Sequence, residues 1–145
     1  MNPDFVEMLA ALHAAGADYL VVGAHALSAH GRPRATGDLD LWVRPTGENA
    51  SRVYTALQRF GAPLHDLQVA DLATPDLVFQ IGVAPARIDI LTSISGVTFE
   101  EGWASRIAVP LGELQVPVIG RDRLIQNKRA AGRPRDLADL ADLGV

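Results

Sequence analysis

Residues 38–43, Asp38-Leu39-Asp40-Leu41-Trp42-Val43, alternate polar and apolar side chains, the period of a strand with one buried face. Side chains at i and i+2 of a strand point to the same side, with Cα atoms about 6.5 Å apart. Asp38 and Asp40 therefore share a face, and two carboxylates there repel one another unless a cation lies between them. Their hard oxygen donors suit Mg²⁺, which takes one or two protein carboxylates and completes its octahedron with water and phosphate oxygens. The same pattern also fits an edge strand with a wet face. Asp89 raises a second choice of this kind. It interrupts the apolar frame Arg87-Ile88-Asp89-Ile90-Leu91, so it is either a third member of the carboxylate set or one half of an ion pair with Arg87.

The rest of the chain alternates helical and strand-like segments. Phe5, Met8, Leu9 and Leu12 recur at helical spacing before Gly16, and Tyr19-Leu20-Val21-Val22 is a short apolar run ending at Gly23. A helix over 24–30, closed by Gly31, precedes a loop at 31–37. Val53, Leu57 and Phe60 predict a helix ending at Gly61, and 62–75 has no regular period. Strands are predicted at 77–81 and 87–91, a helix at 99–105, and a hairpin from 107–109 to 114–116. Two helices, 122–131 and 134–143, hinge at Gly132-Arg133. The expected class is α/β or α+β, with a mixed central sheet flanked by helices. One domain is expected over residues 1–145, with a core at 17–118 and a helical segment at 120–145.

Composition removes several kinds of chemistry. There is no cysteine, so disulfides, thiolate metal sites and cysteine nucleophiles are out. No apolar run reaches the ~18 residues of a membrane span, and the acidic start (Asp4, Glu7) is wrong for a targeting peptide, so a cytoplasmic location is expected. His25 and His30 are five apart, which is not a zinc spacing, and Ser93 and Ser95 have no acid–base partner pattern. Trp42 and Trp103 read as core or near-core rather than as base-stacking platforms. The net charge of −4 hides a polarity: residues 121–135 carry +5 and the remainder −9. A basic patch on an acidic body suits a polyanion such as a nucleoside triphosphate, and equally a solvated helix face.

A strand that ends in glycine and feeds into a helix exposes backbone N–H groups where an anion is favoured, and Gly23-Ala24 is such a junction. Taken together, Val22-Gly23-Ala24-His25-Ala26-Leu27, then Arg34-Ala35-Thr36-Gly37-Asp38-Leu39-Asp40-Leu41, then Asp89, then Ile125-Gln126-Asn127-Lys128 with Gly132-Arg133-Pro134-Arg135-Asp136, form an ordered set. That set resembles the DNA polymerase β-like nucleotidyltransferase superfamily. More narrowly it resembles the small bacterial enzymes that include toxins of toxin–antitoxin and abortive-infection systems. The likeness runs from about Tyr19 to Leu143.

The resemblance implies the nucleotidyltransferase fold and transfer of a nucleoside monophosphate from an NTP to an acceptor hydroxyl. Asp38, Asp40 and Asp89 would hold Mg²⁺, two ions in the usual arrangement, with Asp89 also helping to deprotonate the acceptor. Gly23 and Ala24 would cradle the triphosphate, although Ala24 departs from the more frequent Gly or Ser there. Lys128, the one lysine among twelve arginines, would contact the nucleotide, with Asp136, or alternatively Asp139, contributing from the next helix. For Asp136 and Asp139 the plainer reading is a dipole-favoured acid and an i,i+4 surface pair with Arg135. Arg34 and Thr36 precede the acidic strand and read equally as residues that reach a phosphate or the base and as a plain loop arginine and a turn-ending threonine. Ser28, one helical turn beyond Ala24, would face the nucleotide. The acceptor is open among a tRNA end, a protein and a small molecule, and a cognate antitoxin is an implied partner. Two rival readings remain: a catalytically inactive nucleotide-binding or regulatory module of the same fold, and a DNA-binding helix-turn-helix disfavoured by Asp136, Asp139 and Asp142.

Overall fold

The computed structural model describes residues 1–32, 37–83 and 85–145. Helix α1 (Pro3–Ala14) starts where Asn2 accepts a hydrogen bond from the Asp4 N–H at 2.8 Å, and it buries Phe5, Met8, Leu9 and Leu12. Strand β1 (Tyr19–Val22) leads into α2 (Gly23–Ala29), followed by β2 (Leu39–Val43) and α3 (Gly47–Phe60). Gly61, at φ 90°, ends α3 in the left-handed region that a side chain would resist. A 3₁₀ turn (Val69–Ala73) lies within the segment whose sequence has no period. Then come β3 (Val78–Ile81), β4 (Ile88–Leu91), α4 (Phe99–Ser105), the hairpin β5 (Ile107–Leu111) and β6 (Leu114–Val118), α5 (Arg121–Ala131) and α6 (Pro134–Asp142).

The six strands form one sheet in the order β3-β4-β2-β1-β6-β5. β2 runs parallel to β4 and β1 parallel to β6, while the remaining pairs are antiparallel, so the sheet is mixed. β2 is interior. That removes the wet-edge reading of Asp38-Leu39-Asp40, and the sheet register aligns Val22, Asp40 and Asp89 across β1, β2 and β4.

The main core holds α1 and α3 against the sheet. Trp42 is buried and meets Phe99 edge-to-face at 5.1 Å, and α4 comes close because residue 102 is glycine: a Cβ there would lie 2.7 Å from the Trp42 ring. Trp103 is only partly buried, stacked between Phe99 and the Arg106 guanidinium. A second cluster, Leu27, Ile125, Leu140 and Leu143, fastens α5 and α6 onto α2. Arg121 adds a bond to the Leu143 carbonyl (2.8 Å), and His30 Nε2 lies 2.8 Å from the Ile119 carbonyl. This docking sets the polar face of the two C-terminal helices beside the β1–α2 junction. Among the described residues, no helix is long and apolar enough to cross a membrane.

Candidate active site

Asp40 on β2 and Asp89 on β4 are register partners, and parallel neighbours in register send their side chains to the same face. Asp38 stands just before β2. Its Oδ1 accepts from the Arg87 backbone N–H at 3.0 Å, and its Oδ2 lies 3.2 Å from Arg87 Nη2. Arg87 also forks onto Asp89, with Nε to Oδ1 at 2.8 Å and Nη2 to Oδ2 at 3.2 Å. Both readings of Asp89 thus hold at once: it belongs to the carboxylate cluster, and it is paired with Arg87.

Asp40 receives the least compensation. Burial pushes its carboxyl up from the ordinary 3.8 to about 6, the charges of Asp89 and Asp38 and a hydrogen bond shared with Asp89 add to the rise, and Arg135 opposes it. Gly23 closes the site from the β1 side. Its φ is +69°, and a Cβ built there would overlap Asp40 Oδ2, so only glycine lets the start of α2 come this close. The helix N-cap position is Val22, so no side chain caps the first N–H groups of α2.

From the other side, α5 and α6 supply a buried polar network. Lys128 is 5% exposed, and its Nζ lies 2.8 Å from Asp139 Oδ2 and 3.8 Å from Asp136 Oδ1. Asp136 accepts from Arg133 Nε at 2.6 Å, Nη2 at 3.1 Å and the backbone N–H at 3.1 Å. Burial alone would raise the Asp136 carboxyl, but these bonds and the charges of Arg133 and Lys128 hold it below the usual carboxylate range. Asp136 does sit in the first turn of α6, where the helix dipole favours an acid, but it is buried at 2% exposure, and Asp139 at 5% is not the surface partner of Arg135 that the plainer reading gave it.

Two clefts meet at the carboxylates. One, of about 220 Å³, is lined by Ala24, Asp38, Arg87, Lys128, Asp136 and Asp139 together with the shared residues Gly23, Asp40, Asp89, Arg133 and Arg135. The other, of about 390 Å³, runs past Val78, Ser93, Ser95 and Asn127. Five carboxylates face four cations in the first cleft, an excess of negative charge that a divalent cation would offset. The donor chemistry of Asp38, Asp40 and Asp89 fits Mg²⁺, being all carboxylate oxygen. As the side chains stand, no group of three His, Cys, Asp or Glu among the described residues is arranged to hold an ion, and Arg87 contacts both Asp38 and Asp89.

Of the residues singled out from sequence, Gly23, Ala24, Asp38, Asp40, Asp89, Lys128 and Asp136 come together around this cleft. Ser28 is not among the residues lining either cleft, and Arg34 and Thr36 lie outside the described residues. Sequence reasoning gave Arg133 and Arg135 no individual role. Their signal was the basic run flanking Pro134, whose place at the first turn of α6 holds both arginines at the mouth.

No protein-family model matches the chain, and no curated protein sequence matches it significantly. Among solved structures, the chain is similar to that of TM1012 from Thermotoga maritima, "a putative nucleotidyltransferase". The TM-score is 0.62 at 12% identity, and the match covers 99% of this chain and 94% of that one. The likeness establishes the fold: a mixed α/β sheet with the architecture of a nucleotidyltransferase.

Proposed function

We propose that the chain is a Mg²⁺-dependent nucleotidyltransferase that moves a nucleoside monophosphate from an NTP to an acceptor hydroxyl and releases pyrophosphate. The observation that carries this reading is the meeting of Asp38, Asp40 and Asp89 at the edge of Gly23, inside a cleft whose far wall is cationic. Asp38, Asp40 and Asp89 would hold the metal, and when bound it supplies charge neutralisation and in-line alignment of attacking and leaving oxygens. Gly23 and Ala24 offer uncapped backbone N–H groups to the triphosphate. Lys128, Arg133 and Arg135 offset the charge of the departing pyrophosphate. Asp89 accepts the proton of the attacking hydroxyl, which enters from the cleft bordered by Ser93, Ser95 and Asn127.

A second reading, a nucleotide-binding module without turnover, draws support from one observation: Arg87 pairs with two of the three carboxylates. Incubation with each radiolabelled NTP, Mg²⁺ and cellular RNA or protein separates the two. The enzyme reading predicts a labelled product that is lost in Asp38→Asn and Asp40→Asn. Transfer surviving both changes would overturn it, and nucleotide binding without any labelled product favours the module. The labelled species also identifies the acceptor class, whether tRNA, protein or small molecule. A toxin role with a cognate antitoxin would show as growth arrest on expression, relieved by the antitoxin.

A further inference from the structure

Arg87 is the one cation bonded directly to the carboxylate set among the described residues, and its geometry is that of a competitor rather than a strut. Its guanidinium spans the gap between Asp38 and Asp89 with three contacts of 2.8–3.2 Å. The space between those two acids is where an ion shared by them would sit. A planar guanidinium and a divalent cation cannot occupy it together.

Two features make the guanidinium displaceable without dismantling the site. Its side chain is 31% exposed, so the stem is not locked into the core. Asp38 is held independently, because the Arg87 backbone N–H donates to its Oδ1, and the N–H stays in place when the side chain turns. Charge gives the direction of exchange: one guanidinium sets a single positive charge against three carboxylates, whereas a divalent cation brings two. Arg87 also lines the cleft of Gly23, Ala24 and Lys128, so a released guanidinium remains beside any phosphate bound there. Its five-donor fork suits phosphate oxygens as well as it suits a carboxylate.

We propose that Arg87 is a positioning residue that exchanges partners: it competes with the divalent cation for Asp38 and Asp89, and once displaced it binds the polyphosphate of the nucleotide. This rests on the reading of the cleft as a metal–nucleotide site. It makes metal and nucleotide loading mutually supportive, since each gives Arg87 or the carboxylates the partner that the other removes.

The test is a pair of affinities measured without turnover. Mn²⁺ binding by electron paramagnetic resonance and ATP binding by calorimetry at saturating Mn²⁺ are compared between the native chain and Arg87→Gln. The proposal expects Mn²⁺ to bind the variant about tenfold more tightly and ATP about tenfold more weakly, opposite shifts from one substitution. A merely structural Arg87 would weaken both, and that result overturns the proposal, as does an unchanged Mn²⁺ affinity. Arg87→Lys, which keeps one charge without the fork, should shift both affinities in the same senses but less, and it serves if the glutamine variant does not fold. If native chain, Arg87→Gln and Asp89→Asn all fail to bind Mn²⁺, the metal-site reading itself falls, and this exchange falls with it.

Discussion

Replacing Asp40 by asparagine should stabilise the protein at pH 8 and do nothing for it at pH 4. The carboxyl is raised from 3.8 to about 6 in the folded chain, by burial first and by Asp89 and Asp38 next. A raised folded value means that the native state binds the proton more tightly than the unfolded chain does. Stability from this group is therefore complete below about pH 4 and is lost as pH climbs through 6. Each pH unit of difference corresponds to roughly 1.4 kcal/mol, so the ionised carboxylate costs the folded state at most about 3 kcal/mol at pH 8. Asparagine removes that charge, and its amide N–H can still donate toward Asp89. Urea denaturation in EDTA should show the variant 2–3 kcal/mol more stable at pH 8, roughly a 6–10 °C rise in melting temperature, with the gain gone at pH 4. An equal gain at both pH values would mean a packing effect. No gain at pH 8 would refute the claim that like charges strain this cluster.

Other substitutions probe the supports of the site. Gly23→Ala places a Cβ against Asp40 Oδ2 at a φ of +69°, so it should cost about 1–3 kcal/mol in thermal or urea unfolding and also weaken Mn²⁺–ATP binding. Lys128→Met removes the ammonium from between Asp139 and Asp136, both buried, and should cost about 3 kcal/mol or more. The double variant Lys128→Met/Asp139→Leu should recover part of that loss, and a double variant no more stable than the single one would count against the buried network.

The short elements were legible where local chemistry marks their ends. Gly16, Gly31, Gly61 and Gly132 all adopt positive φ at or just beyond the helix ends placed by sequence, and Phe99–Ser105 is the short helix expected there. The 62–75 segment was opaque because its 3₁₀ turn buries one side chain, Leu72, which is too few to set a period. In the site, the i,i+2 rule placed Asp38 and Asp40 together, but no local rule could say that β2 is interior or that β4 is its parallel neighbour. That pairing depends on the whole strand order, and it turned Asp89 from a choice between the carboxylate set and Arg87 into a residue that stands beside Asp40 and pairs with Arg87 at once. Asp139 was legible only as an alternative to Asp136 for a similar reason: on α6 alone it looks like a partner for Arg135, and only the docking of α5 brings Lys128 Nζ to it. Ser28, one turn beyond Ala24 on α2, is not among the residues lining either cleft.

The most direct measurement is a crystal structure with Mn²⁺ and a non-hydrolysable ATP analogue, read by the anomalous signal of the metal. The account predicts an anomalous peak within coordinating distance of Asp38, Asp40 and Asp89, with the phosphates against the amides of Gly23 and Ala24. It also predicts that Arg87 will have left Asp89. Nucleotide bound elsewhere, or a cleft with no metal and Arg87 still forked onto Asp89, would contradict it.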